Sequence, residues 1–170
     1  LCPMLCHRMR VDAGAAHACV TPRYSTRAGL AGTLTQEKVM TDYSRYFDLV
    51  KETHVEIEGW FSGLQPGILP TLLARFSAQF TMITPHGKVL DIDGVERLFE
   101  PLRGARPGLA ITLSEFNGIA LHAGGAVVSY REVQEEHNGN RTDRRATVAF
   151  EVDAACNVLW RHLHETFCAV

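Results

Sequence analysis

Two imidazoles, an indole, a guanidinium and a carboxylate fall within the nine residues Val158 to Thr166 (Val-Leu-Trp-Arg-His-Leu-His-Glu-Thr). Imidazole and carboxylate together can move a proton near neutral pH, because histidine titrates there and a carboxylate can orient or charge it. The stretch lacks Gly and Pro and is rich in β-formers, which predicts a strand. Alternation then places Val158, Trp160, His162, His164 and Thr166 on one face, and Leu159, Arg161, Leu163 and Glu165 on the other. Ionisable groups on both faces fit either a sheet curved around a partly polar cavity or a subunit interface. Tyr130 and Glu132 share a face of an earlier strand with Ala126, Val128 and Gln134, and either Arg144 or Arg145, depending on register, faces Glu132 from the next strand. His54 interrupts an apolar helical stripe one turn before Glu58. It reads as a core histidine bonded to a backbone carbonyl or a sheet residue, as a pocket base or hydrogen-bond donor paired with His164 or Glu132, or as a metal ligand in a site with His162 or His164 and Glu165. For the His162–His164 face the competing reading is a dimer interface built around Trp160.

The elements that must position these groups follow from periodicity. Tyr43, Phe47, Val50, His54, Ile57, Phe61 and Leu64 recur at alternating steps of four and three, predicting one long helix over about 42–63, with Thr41 and Asp42 as caps and Gly63, Pro66 and Gly67 as its stop. A shorter helix over 68–76 carries Pro70 in its first turn. A strand over 77–84, a Pro85-His86-Gly87 turn and a return strand over 88–91 come next. Asp93 then caps a third helix over 94–102, with Val95, Leu98, Phe99 and Leu102 buried. Four strands at about 109–122, with a bulge at Gly118, 126–136, 144–152 and 158–166 are joined by short turn-rich links, which makes them antiparallel hairpins. Helices followed by an antiparallel meander give an α+β fold. Trp60, Phe61, Phe76, Phe80, Phe99 and Phe150 supply the aromatic core, Trp60 and Phe80 also reaching the pocket wall.

Composition bounds the function. With 170 residues, 46% hydrophobic and 21% charged, the chain fits one domain. A net charge of −2 argues against a nucleic-acid groove, and no apolar run reaches the ~20 residues of a membrane helix. Residues 1–39 differ from the rest. They carry five Lys/Arg against two acids and no sustained hydrophobic period, and read as an extension preceding a start at Met40, as an organelle-type leader, or as a flexible arm. Five scattered cysteines, at 2, 6, 19, 156 and 168, argue for a reducing, cytoplasmic setting; Cys156 and Cys168 read as core or strand-end residues. Cys2-x-x-x-Cys6-His7 is half a zinc site without a partner half, so neither metal nor cofactor is expected.

The order of elements, Phe80-x-Met82-Ile83-x-Pro85-x-Gly87, the Leu98-Phe99 helix, Val127-Val128-Ser129-Tyr130-x-Glu132 and the closing Trp160-Arg161-x-Leu163-His164-Glu165 resemble the nuclear transport factor 2-like superfamily, within it the small bacterial SnoaL-like proteins. The resemblance spans residues 41–167. It implies a cone of three N-terminal helices on a strongly curved, mostly antiparallel sheet, a homodimer through the outer sheet face, and a pocket for a small hydrophobic molecule. It also implies, if the protein is an enzyme, cofactor-free isomerase, cyclase or dehydratase chemistry on a carbonyl or polyketide-like substrate. His54, Tyr130, Glu132 and His164 are then the expected catalytic set, with Trp60, Phe80, Arg145 and His162 lining the pocket. The alternative is a non-catalytic ligand-binding or assembly module.

Overall fold

A single helix, α1 (Gln36–Ser62), spans about 40 Å at 1.5 Å per residue and lies across the inner face of a six-stranded sheet. The computed structural model describes residues 36–169, with side chains from residue 43; the expectations for Cys2, Cys6, His7 and Cys19 lie outside the described residues. Because α1 is already formed at Gln36, Thr41 and Asp42 sit within the helix and do not cap it. Its buried stripe runs through Tyr43, Tyr46, Phe47, Val50, His54, Trp60 and Phe61. Leu64, expected to continue the stripe, lies past the end and is 81% exposed. Gly63 ends the helix at φ +83°, a conformation glycine adopts without a Cβ penalty.

Next come α2 (Leu69–Leu73), which buries Leu72, and the antiparallel pair β1 (Phe76–Ile83) and β2 (Val89–Asp91). The cap of α3 (Ile92–Phe99) is Asp91, whose carboxylate accepts from the Gly94 amide at 2.8 Å; the expected Asp93 falls in the first turn instead. A 3-10 turn over Glu100–Leu102 completes this element. Leu98 is 39% exposed, so it leaves the expected buried face. The remaining strands are β3 (Ala110–His122), β4 (Gly125–Glu135), β5 (Arg141–Val152) and β6 (Val158–Phe167). In the sheet order β2-β1-β6-β5-β4-β3 each neighbouring pair is antiparallel except β1 and β6, which run parallel. The class is the expected α+β, with helices packed on one curved sheet. Cys156 is neither core nor strand, since it sits exposed in the β5–β6 turn at φ 65°.

Two irregularities decide which side chains face inward. In β3 the register shifts next to Gly118, as expected, and a Cβ there would lie 2.4 Å from the Tyr43 ring, so the glycine lets the start of α1 close on the sheet. In β6, Trp160 pairs with Phe150 and His162 with Ala149, leaving Arg161 as an extra residue. An unpaired residue inverts the facing of everything beyond it. Trp160, Leu163 and Glu165 are therefore the buried positions of β6, and His162 and His164 lie on the outer face, opposite to the expected alternation.

Candidate functional site

Between α1, α3 and the inner faces of β1, β4, β5 and β6 lies a cavity of about 950 Å³. Its exposed rim includes His86, Lys88, Val89, Arg97 and Leu98; its far end is closed by the buried polar groups His54, Glu132, Gln134 and Glu165. The walls between are apolar, with Phe61, Phe76, Phe80, Met82 and Leu163 among them. An apolar enclosure with a few convergent polar groups is the usual form of a small-molecule site.

The closed end is assembled from three strands and one helix. His54 Nδ1 lies 2.7 Å from the Val50 carbonyl, which can only accept, so Nδ1 carries a proton. Nε2 faces Glu132 Oε2 at 3.3 Å and the Tyr130 hydroxyl at 3.4 Å. Glu132 Oε1 accepts from Gln134 at 2.5 Å, Gln134 Oε1 accepts from Arg106 at 2.5 Å, and Arg106 continues to Glu136 at 2.5 Å. Register places Arg144 directly opposite Glu132. Arg144 Nη1 donates to Glu165 Oε1 at 3.3 Å and Nη2 to Thr142 at 3.0 Å, while the guanidinium packs over the Phe167 ring. Arg144 Nε is buried with no hydrogen-bond partner. Trp160 forms the floor: its Nε1 donates to Thr53 Oγ1 at 3.2 Å, and Thr53 in turn donates to the Leu49 carbonyl at 2.7 Å.

Electrostatics separate the two carboxylates. Burial disfavours the Glu132 anion, but the His54 charge and hydrogen bond, with Arg144 and Gln134, outweigh it and hold the carboxyl low, at about 2. Burial likewise opposes a charged His54, and Glu132 again prevails, raising the imidazole above its ordinary value. Glu165 goes the other way, raised by burial and by the Glu132 charge against the pull of Arg144. Tyr130 is pushed well up by burial and both carboxylates, so it stays a neutral hydroxyl. Carboxylates driven apart in this fashion suit one to carry negative charge and the other to hold a proton.

The eight residues singled out from sequence fall into three groups. His54, Glu132 and Phe80 line the cavity. Tyr130 is buried one layer behind, edge-on to the His54 ring at 5.4 Å, and Trp60 is buried with its indole donating to the Phe99 carbonyl at 2.8 Å while Phe61 takes the wall position. His164, His162 and Arg145 are corrections, all three on the outer face. His162 Nδ1 lies 2.8 Å from Thr81 Oγ1, Arg145 reaches Glu115 at 2.6 Å, and His164 is exposed. A ligand set of His54 with these imidazoles therefore does not converge. Among the described residues no group of three or more His, Cys, Asp or Glu is placed to hold a metal ion. Glu165, Gln134, Arg106 and Arg144 are the cavity groups that the sequence reading left out or left open. The signal for Glu165 was the spacing of Trp160 and Leu163: two large apolar residues three apart reach one face of a strand only if a residue bulges between them.

No protein-family model matches the chain, and no curated protein matches it. Among solved structures, an NTF2-like protein of unknown function from Pseudomonas aeruginosa superposes with a TM-score of 0.70 at 39% identity, covering 73% of this chain and 98% of that one. An NTF2-like protein from Cytophaga hutchinsonii reaches 0.59 at 14% identity over 79% of this chain and 100% of that one. The association domain of C. elegans CaMKII reaches 0.56 at 16%, over 74% and 98%. The two distant likenesses speak for the fold alone. Identity at the level of the Pseudomonas protein, over nearly all of its length, reaches further: the chain belongs to the NTF2-like family.

Proposed function

We propose that the cavity binds a small, largely apolar molecule and that its closed end performs cofactor-free proton transfer on it, of the isomerase, cyclase or dehydratase kind. The observation that carries this reading is the polar end itself: His54, Glu132 and Glu165 meet at the bottom of an otherwise apolar enclosure, with opposed shifts on the two carboxylates. Glu132, kept ionised by the charged His54, takes the proton from the substrate carbon and returns it to the product; Glu165, protonated, is a donor toward the developing oxyanion. Tyr130 acts through His54 and does not touch the ligand. The test is a thermal-shift screen of small ketones, enones and aromatic acids against the wild type and Met82→Trp, which fills the cavity. A ligand at about a hundred times its Kd stabilises by ~2.7 kcal/mol, several degrees in melting temperature. Hits should vanish in Met82→Trp, and solvent deuterium should enter the bound carbon acid in the wild type but not in His54→Gln. Ligands that shift both proteins equally would sink the reading.

A second reading concerns assembly, and the outer face favours it. Val127, Ser129, Thr147, Ala149, His162 and His164 form a centre there without Lys, Arg, Asp or Glu, and the ion pairs Arg145–Glu115, Arg131–Asp143 and Arg161–Glu151 surround it. We propose that two copies pair through this centre, as a core depleted of acidic and basic side chains within a charged rim suits an interface. Light scattering should report a dimer for the wild type and a folded monomer for Ala149→Arg; a wild-type monomer at high concentration ends the idea.

A further inference from the structure

A chain of hydrogen bonds with a single direction ties the buried carboxylate of Glu132 to the surface. Glu136, just past β4, accepts from Arg106 Nε at 2.5 Å and from Asn138 Nδ2 at 3.1 Å. Arg106 Nη1 donates to Gln134 Oε1 at 2.5 Å, and Gln134 Nε2 donates to Glu132 Oε1 at 2.5 Å. Arg106 and Glu136 are half-buried, whereas Gln134 and Glu132 are buried. The backbone holds the outer end in place. The Arg106 amide donates to the Phe61 carbonyl at 2.9 Å, and the Glu136 amide closes the β4–β5 turn on the Asn140 carbonyl at 3.0 Å.

A carboxamide can lie either way round, because its nitrogen donates and its oxygen accepts. A guanidinium only donates, so the end of Gln134 that faces Arg106 must be the oxygen, and the end that faces Glu132 must be the nitrogen. Turned about, Gln134 would set N–H against N–H at Arg106 and oxygen against oxygen at Glu132. Only a protonated Glu132 tolerates that second contact. In the arrangement present, Glu132 Oε1 receives the Gln134 amide while Oε2 faces His54 at 3.3 Å, which is the surrounding of an ionised carboxylate.

We infer that Arg106 is a positioning residue for the proton transfer: without touching the reacting atoms, it dictates which way the Gln134 amide lies and so keeps Glu132 an unprotonated acceptor of fixed orientation. This rests on Glu132 being the base and adds the residue that sets its form and aim. Lysine at this position keeps the donor-only character; methionine keeps the stem and frees the amide to turn. Arg106 also borders the cavity, so two effects must be told apart. A change of ligand fit appears in KM, and a change in the base appears in kcat.

The test uses the full chain and two readouts. In heteronuclear NMR the Gln134 side-chain amide, assigned by its loss in Gln134→Leu, should show one proton far downfield and slow to exchange in the wild type and Arg106→Lys, but not in Arg106→Met. The second probe is β-tetralone, a small apolar ketone, in deuterium oxide. Glu132 takes a proton from its α-carbon, the electron pair passes to the carbonyl oxygen as an enolate, and return from the solvent-exchanged carboxyl leaves deuterium on carbon. In Arg106→Met, kcat for this exchange should fall by about ten- to a hundredfold, the scale of a misplaced catalytic group, with KM nearly unchanged. Arg106→Lys should restore most of the rate. In a Gln134→Leu background Arg106→Met should remove nothing further, since its effect passes through Gln134. Should Arg106→Met fail to fold, Arg106→Gln, which accepts as well as donates, puts the same question to the amide. An amide signal unmoved by losing Arg106, or additive losses in the double variant, overturns the inference; exchange by the wild type would then leave Glu132 as the base. A wild type no faster than buffer, with the amide responding as expected, overturns the proton-transfer reading and the positioning role together.

Discussion

Trp160→Ala is expected to cost about 3–5 kcal/mol of unfolding free energy, a large share of what a domain of this size possesses. Trp160 is 1% exposed and touches the rings of Phe150 at 5.3 Å, Phe76 at 5.8 Å and His54 at 6.1 Å, so its removal opens a void shared by helix and sheet. Its Nε1 also satisfies Thr53, and its amide takes the Arg75 carbonyl at 2.9 Å, tying β6 to the start of β1. Urea melts followed by circular dichroism measure the loss. Trp160→Phe, which keeps much of the volume and drops the N–H, should lie well between. A wild-type-like midpoint for the alanine variant would mean that the ring is not the floor of the cavity.

Glu132→Ala comes next in size, at about 3 kcal/mol near pH 6, because breaking a buried pair strands the surviving partner. Glu132 is 2% and His54 6% exposed, so the imidazole cannot turn to water and must give up its charge. The two shifts fix the sign of the pH dependence. His54 is raised, so its contribution is complete below about 6.5 and fades as the pH climbs through the folded value. Glu132 is lowered to about 2, so its contribution holds above 4.5 and fades on acidification toward 2. The pair is thus at full strength between those limits, and the penalty of Glu132→Ala should be greatest there, diminishing toward either side. Glu165 is also raised, so burying it stabilises below 4.5 and loses that benefit at higher pH. Stability curves for wild type and Glu132→Ala from pH 3 to 9 check this; a penalty that does not change with pH would show that packing, not charge, is lost.

How far the sequence revealed this site depended on the kind of element involved. The stripe of α1 placed Tyr43, Phe47, Val50, His54 and Phe61 inward correctly, since helical periodicity survives small errors in where the helix begins. Strand β4 was equally legible: Ala126, Val128, Tyr130, Glu132 and Gln134 alternate without interruption and all are buried. Which arginine stands opposite Glu132 came down to register, which places Arg144 there, but the ion pairs formed are Arg144 with Glu165 and Glu132 with His54. Strand β6 was misread because strict alternation has no room for Arg161, and one unpaired residue exchanges His164 for Glu165. The cap of α3 shifted from Asp93 to Asp91 for a similar reason: two acids two residues apart are equivalent on composition, and only the amide of Gly94 distinguishes them. Tyr130 shows a different limit, since facing inward does not decide between lining a cavity and standing behind the residue that does.

The bulge at Arg161 gives the chamber a parity. Counted from Trp160, every residue toward the C-terminus owes its side of the sheet to one unpaired amino acid. Taking that residue into the ladder, so that Arg161 instead of His162 pairs with Ala149, would leave the composition of the strand untouched, yet it would carry the imidazoles of His162 and His164 inside and turn Glu165 out to water. The cavity would pass from an acid beside a guanidinium to a pair of imidazoles. Within such a scaffold, a one-residue slip in pairing rewrites the chemistry of the interior with no change of sequence, whereas deleting Arg161 itself would leave each later side chain on the side it already occupies.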